Sequence, residues 1–143
     1  MITSPLTIIG AGATRTIIER ADSAPPLRLV YVSSGPFSLE GLTLRGGNAL
    51  LRPGSGLDNA GATVTIMRST FDRNFTSRVG GLFNDHGTVT IMSSIFTNHT
   101  DAGAVRSDGG MLVISDTTFA GNVSDFGGAV AMNGRITEHH PRP

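Results

Sequence analysis

Two aspartates, Asp85 and Asp108, have the spacing that best suits shared chemistry. They lie 23 residues apart, close to the period of an internal repeat, and His86 directly follows the first. Two carboxylates near an imidazole are the groups that acid–base cleavage of a polysaccharide requires. The alternative interpretation is that both are solvated turn residues, because aspartate favours turns intrinsically.

Metal and cofactor chemistry have weaker support in the sequence. The two aspartates could ligate calcium, but the tight D-x-D-x-D-G spacing of a calcium loop is absent. The chain has no cysteine, which excludes a thiolate metal site. His139 and His140 are interpreted as part of a polar tail. We therefore predict no catalytic residue, no metal and no cofactor.

Threonines form a second candidate surface. The repeat places Thr65 and Thr90 outward on one strand, and Thr70 and Thr118 outward on another. Regular hydroxyls on a flat face could bind an ordered surface such as ice or a crystalline polysaccharide. The alternative is that threonine is simply a favourable exposed strand residue. Ile95 interrupts the second row.

The elements that must position these residues are repeated. The stretch "VTIMRSTFDRN" at 64–74 recurs as "VTIMSSIFTNH" at 89–99 and as "LVISDTTFAGN" at 112–122, with a fainter copy, "FSLEGLTLRGG", from Phe37. Each copy has an alternating strand, a short second strand with phenylalanine, and a glycine-rich third strand. Copies that match at every position indicate stacking of like on like. We predict an all-β, right-handed parallel β-helix of about five coils, each with three short strands.

The predicted organisation is a single domain at 1–136 followed by a polar tail at 137–143. The coils are an irregular first coil at 6–36 and repeat coils at 37–63, 64–88, 89–111 and 112–136. Zero net charge argues against a nucleic-acid partner, and no stretch approaches the length of a membrane span. No signal peptide is visible, and the abrupt first strand suggests a fragment of a longer chain.

Phe71, Phe96 and Phe119 occupy the same repeat position and are expected to form a stacked interior column, with Leu44 below them. Such residues are usually core residues.

Asn74 and Asn122 follow two of these phenylalanines by three residues and are predicted to form an interior ladder. Their amides would donate to one neighbouring coil and accept from the other. His99 takes the third position and is expected to be a weak rung. Membership of this ladder also argues against glycosylation at the sequons that begin at Asn74 and Asn122.

Gly80–Gly81 and Gly127–Gly128 are expected at a sharp corner. Glycine there would permit positive φ and let adjacent coils approach closely.

These motifs resemble a known repeat family. "FDRN" and "FAGN" match an FxxN element, and "GGLF", "AGAV" and "GGAV" match a GGA(I/L/V) element. Together they resemble the repeats of polymorphic outer membrane proteins, and "LTIIGAGATRTII" is similar to the opening coil of pectate-lyase-like domains. "FTNH" departs from the pattern by lacking its asparagine. The resemblance implies an extracellular or outer-surface domain, often adhesive.

The leading hypothesis is a non-catalytic structural or adhesive module of a bacterial secreted or cell-surface protein. Its partner would be a surface polysaccharide or a host or cell-surface ligand. The alternative is a carbohydrate-binding or polysaccharide-degrading β-helix, a lyase or hydrolase whose active site is incomplete here or lies elsewhere. The fold alone does not decide between them.

Overall fold

The computed structural model describes residues 1–100, 103–125 and 127–138. Within those residues the chain is all-β and contains no helix. The strands are β1 (Leu6–Ile9), β2 (Ile17–Glu19), β3 (Val30–Val32), β4 (Phe37–Glu40), β5 (Thr43–Arg45), β6 (Leu57–Ala60), β7 (Thr63–Met67), β8 (Thr70–Asp72), β9 (Leu82–Asp85), β10 (Thr88–Met92), β11 (Ile95–Thr97), β12 (Val105–Ser115), β13 (Thr118–Ala120) and β14 (Val130–Glu138).

All strand pairings are parallel and join equivalent strands of successive coils. One row runs β1-β4-β7-β10-β12, a second runs β2-β5-β8-β11-β13, and a third runs β3-β6-β9-β12. The long strand β12 joins the first and third rows because it continues through the corner at Gly109 and Gly110, where a register shift occurs. The result is a parallel β-solenoid of about five turns, which confirms the fold predicted from the repeat.

The first-row strands mark where the coils begin. First-row strands begin at Phe37, Thr63, Thr88 and, within β12, at the pairing of Met111 with Thr88. The predicted irregular first coil supplies three strands that pair in register with those of the next coil. The predicted tail at 137–143 overlaps β14, which extends to Glu138; His139 and His140 lie outside the described residues.

Apolar columns fill the interior. Leu44, Phe71, Phe96 and Phe119 lie in register on the second row. The Phe71 and Phe96 ring centroids are 4.6 Å apart, and those of Phe96 and Phe119 are 5.4 Å apart. Phe71 and Phe96 are fully buried, whereas Phe119 is half-buried near the C-terminal end. One coil cannot cover its own apolar face, so each ring is buried by the coils on either side.

Polar ladders occupy the corners between these columns. At the first corner the Ser69 hydroxyl accepts from the Leu42 amide, and the Ser94 hydroxyl accepts from the Ser69 amide. At the corner after the third row, Asn59 donates to Asn84 at 2.9 Å, and Asn84 donates to Ser107 at 3.0 Å. These groups satisfy turn backbone that would otherwise be buried without partners.

The asparagine–histidine ladder of Asn74, His99 and Asn122 fills the corner after the second row, but its bonding differs from the prediction. Each asparagine side chain makes both of its bonds to the preceding coil. Asn74 accepts from the Gly47 amide and donates to the Leu44 carbonyl. The next coil binds instead through the Asn74 backbone, whose N–H lies 3.2 Å from His99 Nδ1. Both bonds satisfy backbone groups in the turn of that one coil.

The glycine pairs also differ from the expectation, because positive φ is restricted to Gly127, at +111°. Gly80, Gly81 and Gly128 lie just before the third-row strands and are required for close approach. A Cβ at Gly80 would overlap the Asn74 carbonyl oxygen, and one at Gly128 would lie 2.5 Å from the Asn122 carbonyl oxygen. Because these glycines have no side chain, their backbone can lie in direct contact with the backbone of the asparagine–histidine ladder.

Candidate binding surface

The four candidate threonines lie on two outward-facing columns. Thr65 and Thr90 are in-register neighbours on β7 and β10, so their Cα atoms are separated by one coil, roughly 4.8 Å. Thr70 and Thr118 are separated by Ile95, whose side chain is 44% exposed. Of the four candidates, only Thr65 and Thr90 are direct neighbours. Thr63 and Thr88 form a second adjacent pair on the same strands. Ser38 and Thr7 continue the Thr65 column toward the N-terminus, and Val113 interrupts it on the other side.

Asp85 and Asp108 are brought together in the third row, where they are in-register neighbours on β9 and β12. Each carboxylate has its own basic partner: Asp85 Oδ1 lies 2.6 Å from His86 Nδ1, and Asp108 Oδ1 lies 2.9 Å from Arg106 Nε. Among residues 1–100, 103–125 and 127–138, no three acidic, histidine or cysteine side chains converge as a metal site would require. The pair thus consists of an exposed Asp85–His86 contact and a partly exposed Arg106–Asp108 ion pair at a corner.

A more distinctive surface lies beside this pair. Tyr31, Asp58, Phe83 and Arg106 form one outward column on β3, β6, β9 and β12, and we call this column the third-strand face. The guanidinium of Arg28 lies 5.0 Å from the centre of the Tyr31 ring. The same guanidinium contacts Asp58 at 2.7 Å from Nη1 to Oδ2. Aromatic, acidic and basic groups therefore alternate along the solenoid axis.

Asp58 is the carboxylate of this face, and its pKa is perturbed. Burial raises its pKa above the usual value, and the nearby charge of Asp85 acts in the same direction. The Arg28 guanidinium opposes both effects but does not cancel them. A carboxyl with a raised pKa beside a basic residue is a feature of functional sites, although structural ion pairs also produce it.

Two open grooves flank the third-strand face, because the loops before the third-row strands project beside it. The first groove lies against Tyr31 and is lined by Leu27, Leu50, Leu51 and Arg52. The exposed fractions of Leu50 and Leu51 are 56% and 74%.

The second groove lies against Phe83 and is lined by Pro53, Arg78, Arg106 and Asp108. Arg52 of the first groove and Arg78 of the second form no ion pair with the residues that the structure describes. The two grooves together thus present unpaired guanidinium groups beside two aromatic rings.

Sequence reasoning missed most of this surface. The spacing of aspartates identifies Asp85 and Asp108 as candidates but does not identify Asp58. Alignment of the third strands would have placed Tyr31, Asp58 and Phe83 in one column, because each lies one residue before or after a buried apolar position. The same alignment would have revealed the Asn59–Asn84 ladder. No local sequence pattern predicts the Arg28–Asp58 contact, because it depends on the length of the loop between β2 and β3.

Two further ion pairs join adjacent coils. Arg45 on β5 contacts Asp72 on β8 at 3.2 Å, and Arg68, in the turn after β7, forms an ion pair with Glu40 on β4. With Arg28 and Asp58, these pairs link three successive coils. Exposed pairs of this kind contribute little individually, but they fix the register of neighbouring turns.

No protein-family model, curated protein or solved structure matches the chain significantly. The described residues hold no helix that could cross a lipid bilayer.

Proposed function

We propose that the chain is a non-catalytic structural or adhesive module of a bacterial secreted or cell-surface protein. The observation that carries this proposal is that polar and charged side chains form hydrogen bonds and ion pairs between successive coils. In the corner ladders and the cross-coil ion pairs, these groups bind residues of the adjacent coil and stabilise the stacking of the coils. A catalytic groove would instead need carboxylates whose partners are a substrate and water.

The repeat motifs support the same proposal. The FxxN element supplies Phe71 to the interior column and Asn74 to the corner ladder, and Gly80 allows the close approach described above. These are structural tasks, in keeping with the resemblance to polymorphic outer membrane protein repeats. We extend the resemblance to an outer-surface location and to adhesion, where a rigid rod would present its loops to a partner.

A second candidate function is carbohydrate binding on the third-strand face. It is favoured by the two grooves, where Tyr31 and Phe83 offer ring faces and where Arg52 and Arg78 offer unpaired donors. Aromatic faces bind the apolar side of a sugar, and guanidinium groups bind carboxylates in bidentate geometry. For the polysaccharide-degrading form of this candidate, Asp58 is the carboxyl to test as a general acid, because burial raises its pKa, and it would have to exchange its Arg28 contact for a substrate.

The test is to incubate the purified chain with immobilised polysaccharides, neutral and acidic, and with host surface proteins, and to measure retention and bond cleavage in parallel. We expect retention of at least one surface ligand with no cleavage product. Weaker retention of an acidic polysaccharide by the Arg52→Gln and Arg78→Gln variants would favour the carbohydrate-binding candidate. Cleavage that is lost in Asp58→Asn but kept in Asp116→Asn would overturn the non-catalytic proposal.

A further inference from the structure

The chain contains three sequons, the Asn-x-Ser/Thr sequences at which N-linked sugars are attached. They are Asn74-Phe75-Thr76, Asn98-His99-Thr100 and Asn122-Val123-Ser124. A sequon accepts a sugar only where the asparagine amide and the hydroxyl two residues later can both be reached from solvent. The structure separates the three sequons by this criterion.

The first and third sequons are engaged in bonds within the solenoid. Asn74 is fully buried, and its amide donates to the Leu44 carbonyl. Thr76, which completes the same sequon, is also fully buried, and its hydroxyl bonds to carbonyls of the preceding coil. The half-buried Asn122 donates to the Phe96 carbonyl at 2.9 Å. A transferase could reach either amide only after the corner had opened.

The second sequon lies on the surface of the same corner. Asn98 is exposed in a left-handed turn with φ of +60°, and Thr100 is exposed as well. The Asn98 backbone amide donates to the Ala120 carbonyl, which holds the turn against the next coil. The side-chain Nδ2 donates to Asp72 Oδ1 at 3.2 Å.

Gly121 leaves space on one side of the Asn98 side chain. It occupies the equivalent turn of the next coil, and a Cβ at this position would lie 2.8 Å from Asn98 Oδ1. Because glycine has no side chain, the neighbouring turn does not cover the acceptor amide.

An open pocket lies on the other side of the Asn98 amide. It is lined by Arg73, Asn74, Phe75, Asn98 and Thr100. The Phe75 side chain is 43% exposed, unlike the buried rings of the interior column. An aromatic face binds the apolar side of a sugar ring, and a guanidinium can donate to its hydroxyl groups. A sugar attached at Asn98 would therefore meet a suitable surface in this pocket.

We propose that Asn98 is the acceptor of an N-linked sugar and that Phe75 packs against the first sugar residue. The donor is a sugar whose C1 is linked through phosphate to a nucleotide or a lipid, and a separate glycosyltransferase catalyses the transfer. Asn98 Nδ2 forms a bond to C1, the C1–O bond breaks with its electron pair leaving on the phosphate oxygen, and Nδ2 loses one proton. The product amide keeps one N–H, which can still donate to Asp72. This modification goes beyond the binding proposed above and does not depend on it.

The test presents the purified, folded chain to two transferases and locates the product by peptide mass spectrometry. One arm uses a soluble N-glycosyltransferase with a nucleotide-linked hexose. The other arm uses a single-subunit oligosaccharyltransferase with a lipid-linked oligosaccharide, so the two arms distinguish the donor. A short Asn-x-Thr peptide confirms that each enzyme is active. We expect modification at Asn98 in at least one arm, with occupancy at Asn74 and Asn122 at least about tenfold lower.

Three sets of variants test the parts of the site. Asn98→Gly removes the acceptor and introduces the residue found in the equivalent turns at Gly46 and Gly121. Thr100→Val should abolish the modification, whereas Thr100→Ser, which restores a hydroxyl, should retain it. Phe75→Ala should lower the rate of modification about threefold or more, because the sugar loses its aromatic partner.

Circular dichroism and thermal unfolding establish that each variant is folded. A folded wild type that stays unmodified in both arms overturns the proposal. Equal occupancy at all three sequons overturns it as well, because exposure would then not select the acceptor. Modification at Asn98 that Phe75→Ala leaves unchanged contradicts the role of Phe75. If Thr100→Val does not fold, the loss of product in Asn98→Gly decides whether Asn98 is the acceptor.

Discussion

The Phe71 and Phe96 rings stack with their planes 12° apart and their centroids separated by 4.6 Å. Offset stacking at this distance is favourable for aromatic rings. It is also close to the spacing of adjacent parallel strands, so the backbone ladder and the ring column reinforce each other. Phe96 has a ring on each side, because Phe119 stacks on its other face.

The first prediction concerns that central ring. Phe96→Ala should lower the free energy of unfolding by about 3–5 kcal/mol, because it leaves a cavity that neither neighbouring ring can fill. Phe119→Ala should cost about 1–2 kcal/mol, since Phe119 is half-buried and solvent can occupy part of the space. Chemical denaturation measures both values. Equal losses would contradict the inference that burial increases from the end of the column to its centre.

The second prediction concerns the pH dependence caused by His99. The ring is fully buried, and Nε2 has no hydrogen-bond partner among the described residues. Burial lowers the pKa of His99 below the ordinary value of 6.5, although the carbonyls of Asn74 and Phe71 and the charge of Asp72 favour protonation. The unfolded chain therefore binds the proton more readily than the folded chain. Stability should be complete above pH 6.5 and should decline as the pH falls below it.

The matched variant is His99→Asn, which restores the residue found at the other two positions of the ladder. Its amide should donate to the Phe71 carbonyl, as Asn122 donates to Phe96. We expect this variant to gain about 1 kcal/mol at neutral pH and to lose the dependence between pH 7.5 and 5 that is caused by His99. His86→Asn, at an exposed turn, is the control. A decline of equal size in wild type and His99→Asn would exclude His99 as its cause.

The third prediction concerns the asparagine ladder after the third row. Asn84 accepts from Asn59 and donates to Ser107 and to the Gly87 carbonyl. Asn84→Ala should reduce the free energy of unfolding by about 2–3 kcal/mol, because it leaves buried partners unsatisfied on both sides. Thr90→Ala, which changes an outward-facing residue, should change it by less than about 1 kcal/mol. Urea unfolding of both variants tests the difference, and similar losses would show that the ladder is not specifically stabilising.

The sequence predicted the parts of this fold that repeat. A column such as Leu44–Phe71–Phe96–Phe119 can be read from alignment, because every coil meets the same environment above and below. Asp85 and Asp108 were placed side by side for the same reason. The direction of the Asn74 bonds could not be read this way, since an amide can satisfy a donor and an acceptor in one coil or in two. That choice depends on how the turn backbone is tilted.

The parts of the fold that do not repeat could not be predicted from the sequence. The Arg28–Asp58 contact and the groove at Leu50 and Leu51 arise from loops whose lengths differ from coil to coil. Such loops carry no periodic signal, and their packing is set by tertiary contacts. The repeat thus predicts the solenoid, whereas the candidate binding surface depends on loops whose lengths differ from coil to coil.

The fourth prediction concerns backbone strain at the corner between the first and second rows. Gly41, Arg68, Ser93 and Asp116 occupy equivalent turns and all have positive φ, from +46° to +68°. Only glycine adopts this conformation without steric cost. Ser93 is exposed, so Ser93→Gly should remove the strain without removing a core contact and should stabilise the chain by about 0.5–1 kcal/mol.

The matched reverse change is Gly41→Ala, at the equivalent turn two coils nearer the N-terminal end of the solenoid. Its φ of +68° and the Gly10 carbonyl oxygen, 3.0 Å from an added Cβ, both oppose a side chain. We expect a loss of about 1–2 kcal/mol, from left-handed strain together with the close contact. Thermal and urea unfolding of the two variants should therefore shift in opposite directions. Destabilisation by Ser93→Gly would mean that glycine's greater freedom in the unfolded chain outweighs the strain it relieves.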